Sequence, residues 1–190
     1  MRTPIEKLKI FLAAAGWFLF AGVGARARGQ DISEYKVKAA YLLNFVKFVN
    51  WPQKASDDGN DDILIGILGD DPFGGSLDDM AKGKAIGRHS ILIKRFENFD
   101  EANSGALRKC RILFISYSEK DDLPMILRAL KGAPVLTVSE IERFPAKGGM
   151  ILFDQEGQRI TLAINKTVAE KSGLTFSSQL LQVAQIYKGE

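Results

Sequence analysis

The sequence predicts an α/β fold: a mostly parallel sheet with helices on both faces and a C-terminal antiparallel hairpin, in a three-layer sandwich. Two observations predict it. Short apolar runs at residues 63–68, 90–94, 112–115 and 135–138 alternate with helix-like stretches at 76–82, 99–108 and 121–130, the pattern of parallel strands joined by crossover helices. Near the end that alternation gives way to two strand-like runs, 150–154 and 159–164, around the tight Gln155-Glu-Gly-Gln158, which is a hairpin signal.

Before the first strand, Val37, Tyr41, Phe45 and Phe48 recur at intervals of three or four between Ser33 and Pro52. This spacing predicts an amphipathic helix over 33–48, with Ser33 as N-cap and Pro52 forbidding continuation. The polar stretch 53–62 is then a loop. Past the hairpin, Asn165 is placed to cap a short helix ending at Lys171, and Gly173 suits the left-handed position beyond a helix end. A last helix is expected from Ser177 or Ser178 to Tyr187, with Leu180, Leu181, Ala184 and Tyr187 on its apolar stripe.

The N-terminus carries Arg2, Lys7 and Lys9 ahead of an apolar run from Ile10 to Val23. That run falls short of the roughly 20 residues of a membrane-spanning helix and leads into the small-residue pattern Ala25-Arg-Ala27. Residues 1 to 27 therefore read as a signal peptide cleaved after Ala25 or Ala27, with a retained anchor as the alternative. In both cases residues 28 to 190 form one exported domain, and the expected compartment is the periplasm.

Removing Arg2, Lys7, Lys9 and Arg26 from 26 basic residues, and Glu6 from 23 acidic ones, leaves 22 of each. A chain so balanced lacks the basic stripe that nucleic-acid binding needs. Cys110 is the only cysteine, so no intramolecular disulfide can form, and its place at the head of Cys-Arg-Ile-Leu-Phe-Ile suits a small buried hydrophobe better than a cross-link between copies.

Candidate chemistry collects at the carboxyl ends of the predicted strands, where open parallel sheets place their ligands. Gly69-Asp-Asp-Pro-Phe-Gly-Gly-Ser76 nearly spells a phosphate loop, but Gly75 stands where lysine is needed and Asp70 with Asp71 would repel an anion. Asp71, Phe73, Ser116, Glu119 and Ser139 would make a polar rim with one aromatic, able to hold a small polar molecule; Ser118 and Ser139 serve equally as caps. His89 is the only histidine, too few for a catalytic triad or a zinc site. The acidic cluster Asp57, Asp58, Asp61 and Asp62 lacks the ligand order of a calcium loop. No enzyme, metal or cofactor is expected.

The helix Tyr35-Lys-Val-Lys-Ala-Ala-Tyr-Leu-Leu-Asn-Phe-Val-Lys-Phe-Val-Asn-Trp-Pro52 resembles that of the YfiR-like family of periplasmic proteins. The resemblance continues through Ile67-Leu-Gly-Asp-Asp-Pro-Phe-Gly74, Gly87-Arg88, Leu113-Phe-Ile-Ser116, Pro134-Val-Leu-Thr-Val-Ser-Glu140, Gly148-Gly-Met-Ile151, Ala163-Ile-Asn165 and Gly173-Leu-Thr-Phe-Ser-Ser-Gln-Leu-Leu181. It implies a repressor that binds the periplasmic sensor portion of a membrane-bound diguanylate cyclase and lowers cyclic-di-GMP output and biofilm formation. The cysteine pairs linked to redox control in the family's best-known member have no counterpart here beyond Cys110. The expected partner surface is the hairpin face of Phe153, Glu156 and Arg159 with the corner Ser177, Ser178 and Gln179. The alternative is a small-molecule binder using the carboxyl-edge rim; a homodimer stays open.

Overall fold

The computed structural model describes residues 23–52, 62–157 and 159–189, with side chains from Glu34 onward. Most of the expected leader and the acidic loop 53–61 lie outside them. The chain divides after Glu34, and the architecture below is that of the unit Tyr35–Glu190. Among the described residues no helix is long and apolar enough to cross a membrane.

The elements follow the predicted order. Helix α1 (Val23–Phe48) leads through β1 (Val49–Asn50) to β2 (Ile63–Leu68), α2 (Gly75–Ala81), β3 (Ala85–Ile86) and β4 (His89–Phe96). Next come α3 (Ser104–Leu107), β5 (Ile112–Ile115), α4 (Leu123–Ala129), β6 (Leu136–Ser139), β7 (Ile151–Glu156) and β8 (Arg159–Ile164). The chain ends with α5 (Lys166–Lys171), β9 (Thr175–Phe176), α6 (Ser178–Gln182) and β10 (Gln185–Ile186).

The main sheet has the order β10-β8-β7-β6-β5-β2-β4-β3, and β1 pairs with β9 in a separate antiparallel ladder. Strands β4, β2, β5, β6 and β7 run parallel, whereas β8 is antiparallel to β7, and β3 to β4. The central strands are apolar on both faces because both are covered. Period-two alternation sends Ile65, Ile67, Ile112, Phe114, Leu136 and Val138 into one core with α1, α2, α5 and α6. Leu68, Leu113 and Ile115 go into a second core with α3 and α4. These are the three layers that the sequence predicts.

Three boundaries differ from expectation. Helix α1 starts at Val23, so Ser33 falls inside it; the sequence 28–33 holds no proline to stop a helix there. Residues 99–108 form a 3₁₀ turn, Glu101–Asn103, capped by the Asp100 side chain, before the single turn of α3. The last helix ends at Gln182, and Gln185–Ile186 instead pairs in parallel with β8 through Ala163 and Ile164. The hairpin is therefore not a bare edge, since β10 shields part of β8, as unpaired strand groups require.

Other local readings agree with the structure. The Asn165 side chain accepts from the Val168 amide at 3.1 Å and donates to the Pro145 carbonyl at 2.8 Å. Gly173 adopts a φ of 76°, past the end of α5.

Cys110 is buried between Leu107 and Leu113, and burial pushes its thiol up to about 12. Alkylation at pH 8 should be negligible in the native protein and complete in denaturant, as a thiol-trapping time course would show. The thiol is neutral in both folded and unfolded chains below its ordinary value of 9.0, and only the unfolded chain ionises as pH rises from about 9 to about 12. Its contribution to stability is thus present below about pH 9 and is lost across that window.

Candidate functional site

From β2 the chain crosses to β4 on one side and returns to β5 on the other. The switch point lies between the loops after β2 and β5, where a doubly wound sheet opens its crevice. Here the crevice is closed by the protein itself. Ser118 Oγ accepts from the Asp70 amide at 3.0 Å, and the Glu119 carboxylate accepts from the Phe99 amide at 2.9 Å. Gly69, at a φ of 86°, permits this closure: a Cβ there would strike Ser118 Oγ and lie 2.8 Å from Glu119 Cγ.

The expected rim residues sit together at this edge, with most of their polar atoms engaged in the fold. Asp71 accepts from the Phe73 amide at 2.8 Å and from Arg95 Nε at 2.7 Å. The Arg95 guanidinium also forks onto Asp78 at 3.1 and 2.5 Å and reaches the Gly74 carbonyl at 3.1 Å. Arg95 holds the Asp78 carboxyl below its usual range and is itself raised by the two aspartates. Phe73 is buried, edge-on to Phe114 at 4.9 Å and to Tyr35 at 5.7 Å, so its ring joins the core and not the rim. Ser139 Oγ donates to the Ile115 carbonyl at 2.7 Å and accepts from the Ile141 amide at 3.1 Å, tying the end of β6 into a turn; no helix follows it, so it is not the helix cap that the sequence suggested as an alternative. Ser116 is buried and makes main-chain bonds to Leu68 and Glu119.

Sequence reasoning missed the ion pair at this edge. Lys38, in the buried face of α1, meets Glu140 at 2.6 Å, and the Tyr35 hydroxyl donates to the other carboxylate oxygen at 3.0 Å. The ammonium also lies 4.6 Å from the centre of the Tyr35 ring. The buried stripe of α1 is Lys38, Leu42 and Phe45, whereas Val37, expected inward, is 44% exposed. The signal was present as a charge at helical spacing from Leu42 and Phe45.

The expected partner face is only partly a surface. Phe153 is a correction: it is buried, stacked on Phe45 with centroids 6.0 Å apart. A strand alternates sides at each residue, so Phe153 and Glu156 cannot share a face. Glu156 and Arg159 are exposed register partners, and Gln185 Nε2 donates to Glu156 at 3.1 Å. Ser177 caps α6 by accepting from the Leu180 amide at 3.3 Å, while Ser178 and Gln179 are exposed. Beside them a groove of about 200 Å³ is lined by Tyr41, Asn44, Phe48, Gln179, Leu180 and Val183.

A family model described as YfiR/HmsC-like matches residues 35–185. Among solved structures, a conserved domain protein from Vibrio cholerae superposes with a TM-score of 0.54 at 14% identity, covering 82% of this chain. The matched region is 60% of the Vibrio chain, so this chain spans about three fifths of that relative's length. At that identity the likeness is one of fold.

Proposed function

The chain belongs to the YfiR/HmsC-like family, and from that premise we propose that it is a periplasmic regulatory protein rather than an enzyme. Its partner, on this reading, is the periplasmic sensor portion of a membrane-bound diguanylate cyclase, which it holds in the inactive state to lower cyclic-di-GMP signalling and biofilm formation. Family membership over residues 35–185 carries the proposal. To repress, the protein must bind the inactive cyclase more tightly than the active one, because equal affinity shifts no population.

The docking face we propose comprises Glu156, Arg159, Ser178 and Gln179, all exposed at the hairpin tip and the start of α6. Phe153 and Ser177 are left out of it, the one buried against Phe45 on the other side of the strand and the other engaged in capping α6. The double variant Glu156→Arg with Arg159→Glu should keep the fold, as both side chains are exposed, and should weaken capture of the cyclase's periplasmic domain at least about tenfold in a pull-down titration, in line with charge pairs at interfaces. Undiminished capture would remove this face from the proposal.

A small polar ligand at Asp71, Phe73, Ser116, Glu119 and Ser139 is the second reading. Their placement at the carboxyl edge supports it; the internal hydrogen bonds of Asp71, Glu119 and Ser139 weigh against it, since a ligand would have to replace them.

A further inference from the structure

At the opposite side of the sheet from the hairpin, β4 is eight residues long and its outer neighbour β3 only two. The pairing covers His89 and Ser90 and ends with one further bond, from the Ile91 amide to the Lys84 carbonyl at 3.4 Å. That bond shows that Ile91 faces outward. The Phe96 carbonyl, by contrast, accepts from the Gly69 amide at 2.9 Å and so faces β2. Because the direction of main-chain groups alternates along a strand, Ile93 and Arg95 present both N–H and C=O groups outward, with no strand beside them among the described residues.

Alongside this open edge runs a cleft of about 590 Å³ between β4 and the C-terminal turn of α2. Its walls include Lys82, Lys84, Leu92 and Ile93. Leu92 is 48% exposed. Lys82 and Lys84 are exposed in the cleft against Asp79, while Asp78 is already held by Arg95. An edge strand with unpaired groups, flanked by a helix, is the geometry in which an extended peptide adds as a further strand. Lysines can also serve to blunt such an edge against aggregation. The exposed Leu92 and the cleft beside it favour occupancy over blunting.

We propose that β4 is a strand-addition site for an extended acidic segment of a partner protein. The incoming strand completes the ladder at Ile93 and Arg95, sets apolar side chains on the Leu92 face and directs the carboxylates of its other face to Lys82 and Lys84 in the cleft. The site lies on the far side of the sheet from the hairpin and is independent of the cyclase reading.

The test uses the purified protein and a synthetic eight-residue peptide of alternating valine and glutamate with blocked ends. We expect saturable binding that weakens with salt, at least about tenfold slower amide exchange at Ile93 and Arg95 by NMR, and about tenfold lower affinity for the double variant Lys82→Glu with Lys84→Glu. A version of the peptide N-methylated on alternate residues should not bind, because it cannot form the ladder. Absence of protection at millimolar peptide, or equal binding of the valine–lysine counterpart, would overturn the proposal. So would protection that appears without peptide and grows with protein concentration, which would mark a second copy of this chain as the occupant.

Discussion

Phe114→Ala is expected to remove about 3–5 kcal/mol of stability, the cost of emptying a fully buried aromatic site. Phe114 is wholly inaccessible in the middle of β5, with Phe73 at 4.9 Å and Phe153 at 6.5 Å between ring centres. Around it the carboxyl-edge loop and the hairpin converge, because Phe73 belongs to the first and Phe153 to the second. The midpoint of thermal unfolding should fall by on the order of 10 °C in a chain of this size. Phe114→Leu should lose clearly less, since it keeps more of the volume. A urea titration followed by tryptophan fluorescence would check both, and a Phe114→Ala protein as stable as the parent would refute this account of the core.

The second large effect concerns Lys38 and Glu140. Removing one member of a buried ion pair costs more than replacing both, because the survivor keeps its charge and loses this counter-charge; typical values are about 3–5 kcal/mol. The two sides are unequal here. The Lys38 side chain is 5% exposed and that of Glu140 20%, so water reaches the carboxylate more readily than the ammonium. Tyr35 continues to donate to Glu140 when Lys38 is changed. Glu140→Ala should therefore destabilise by about 3 kcal/mol, and Lys38→Met by about half of that. The double variant Lys38→Met with Glu140→Leu should be milder than Glu140→Ala alone. Equal losses from the two single variants in chemical denaturation would show that the pair is solvated alike on both sides.

What could be read from the sequence was what neighbouring residues decide among themselves. The runs that became β2 and β5 announced themselves by composition, the hairpin by its turn, and α5 by Asn165 and Gly173 at its ends. The phase of α1 was harder, since Val37 and Lys38 are adjacent and only the sheet beneath decides which one turns inward. Lys38 does so because Glu140, more than a hundred residues away, waits at the end of β6. The same reason explains β10: nothing in Gln185–Ile186 signals a strand, and the pairing arises from the open side of β8. At the carboxyl edge, sequence gathered the right loops but could not show that Ser118, Glu119 and Arg95 would close them.

The short β1–β9 ladder joins Val49 to Phe176 and Asn50 to Thr175, and the Ser177 amide donates to the Phe48 carbonyl at 2.8 Å. The first helix and the segment that carries Gln179 and Val183 are thereby hinged on one clasp, although more than a hundred residues of chain separate them. A shift at the end of α1 therefore reaches the groove at Tyr41 and Val183 directly through this two-stranded clasp and not by way of the main sheet, so the start of the domain and the segment near its end are tied into a single mechanical part.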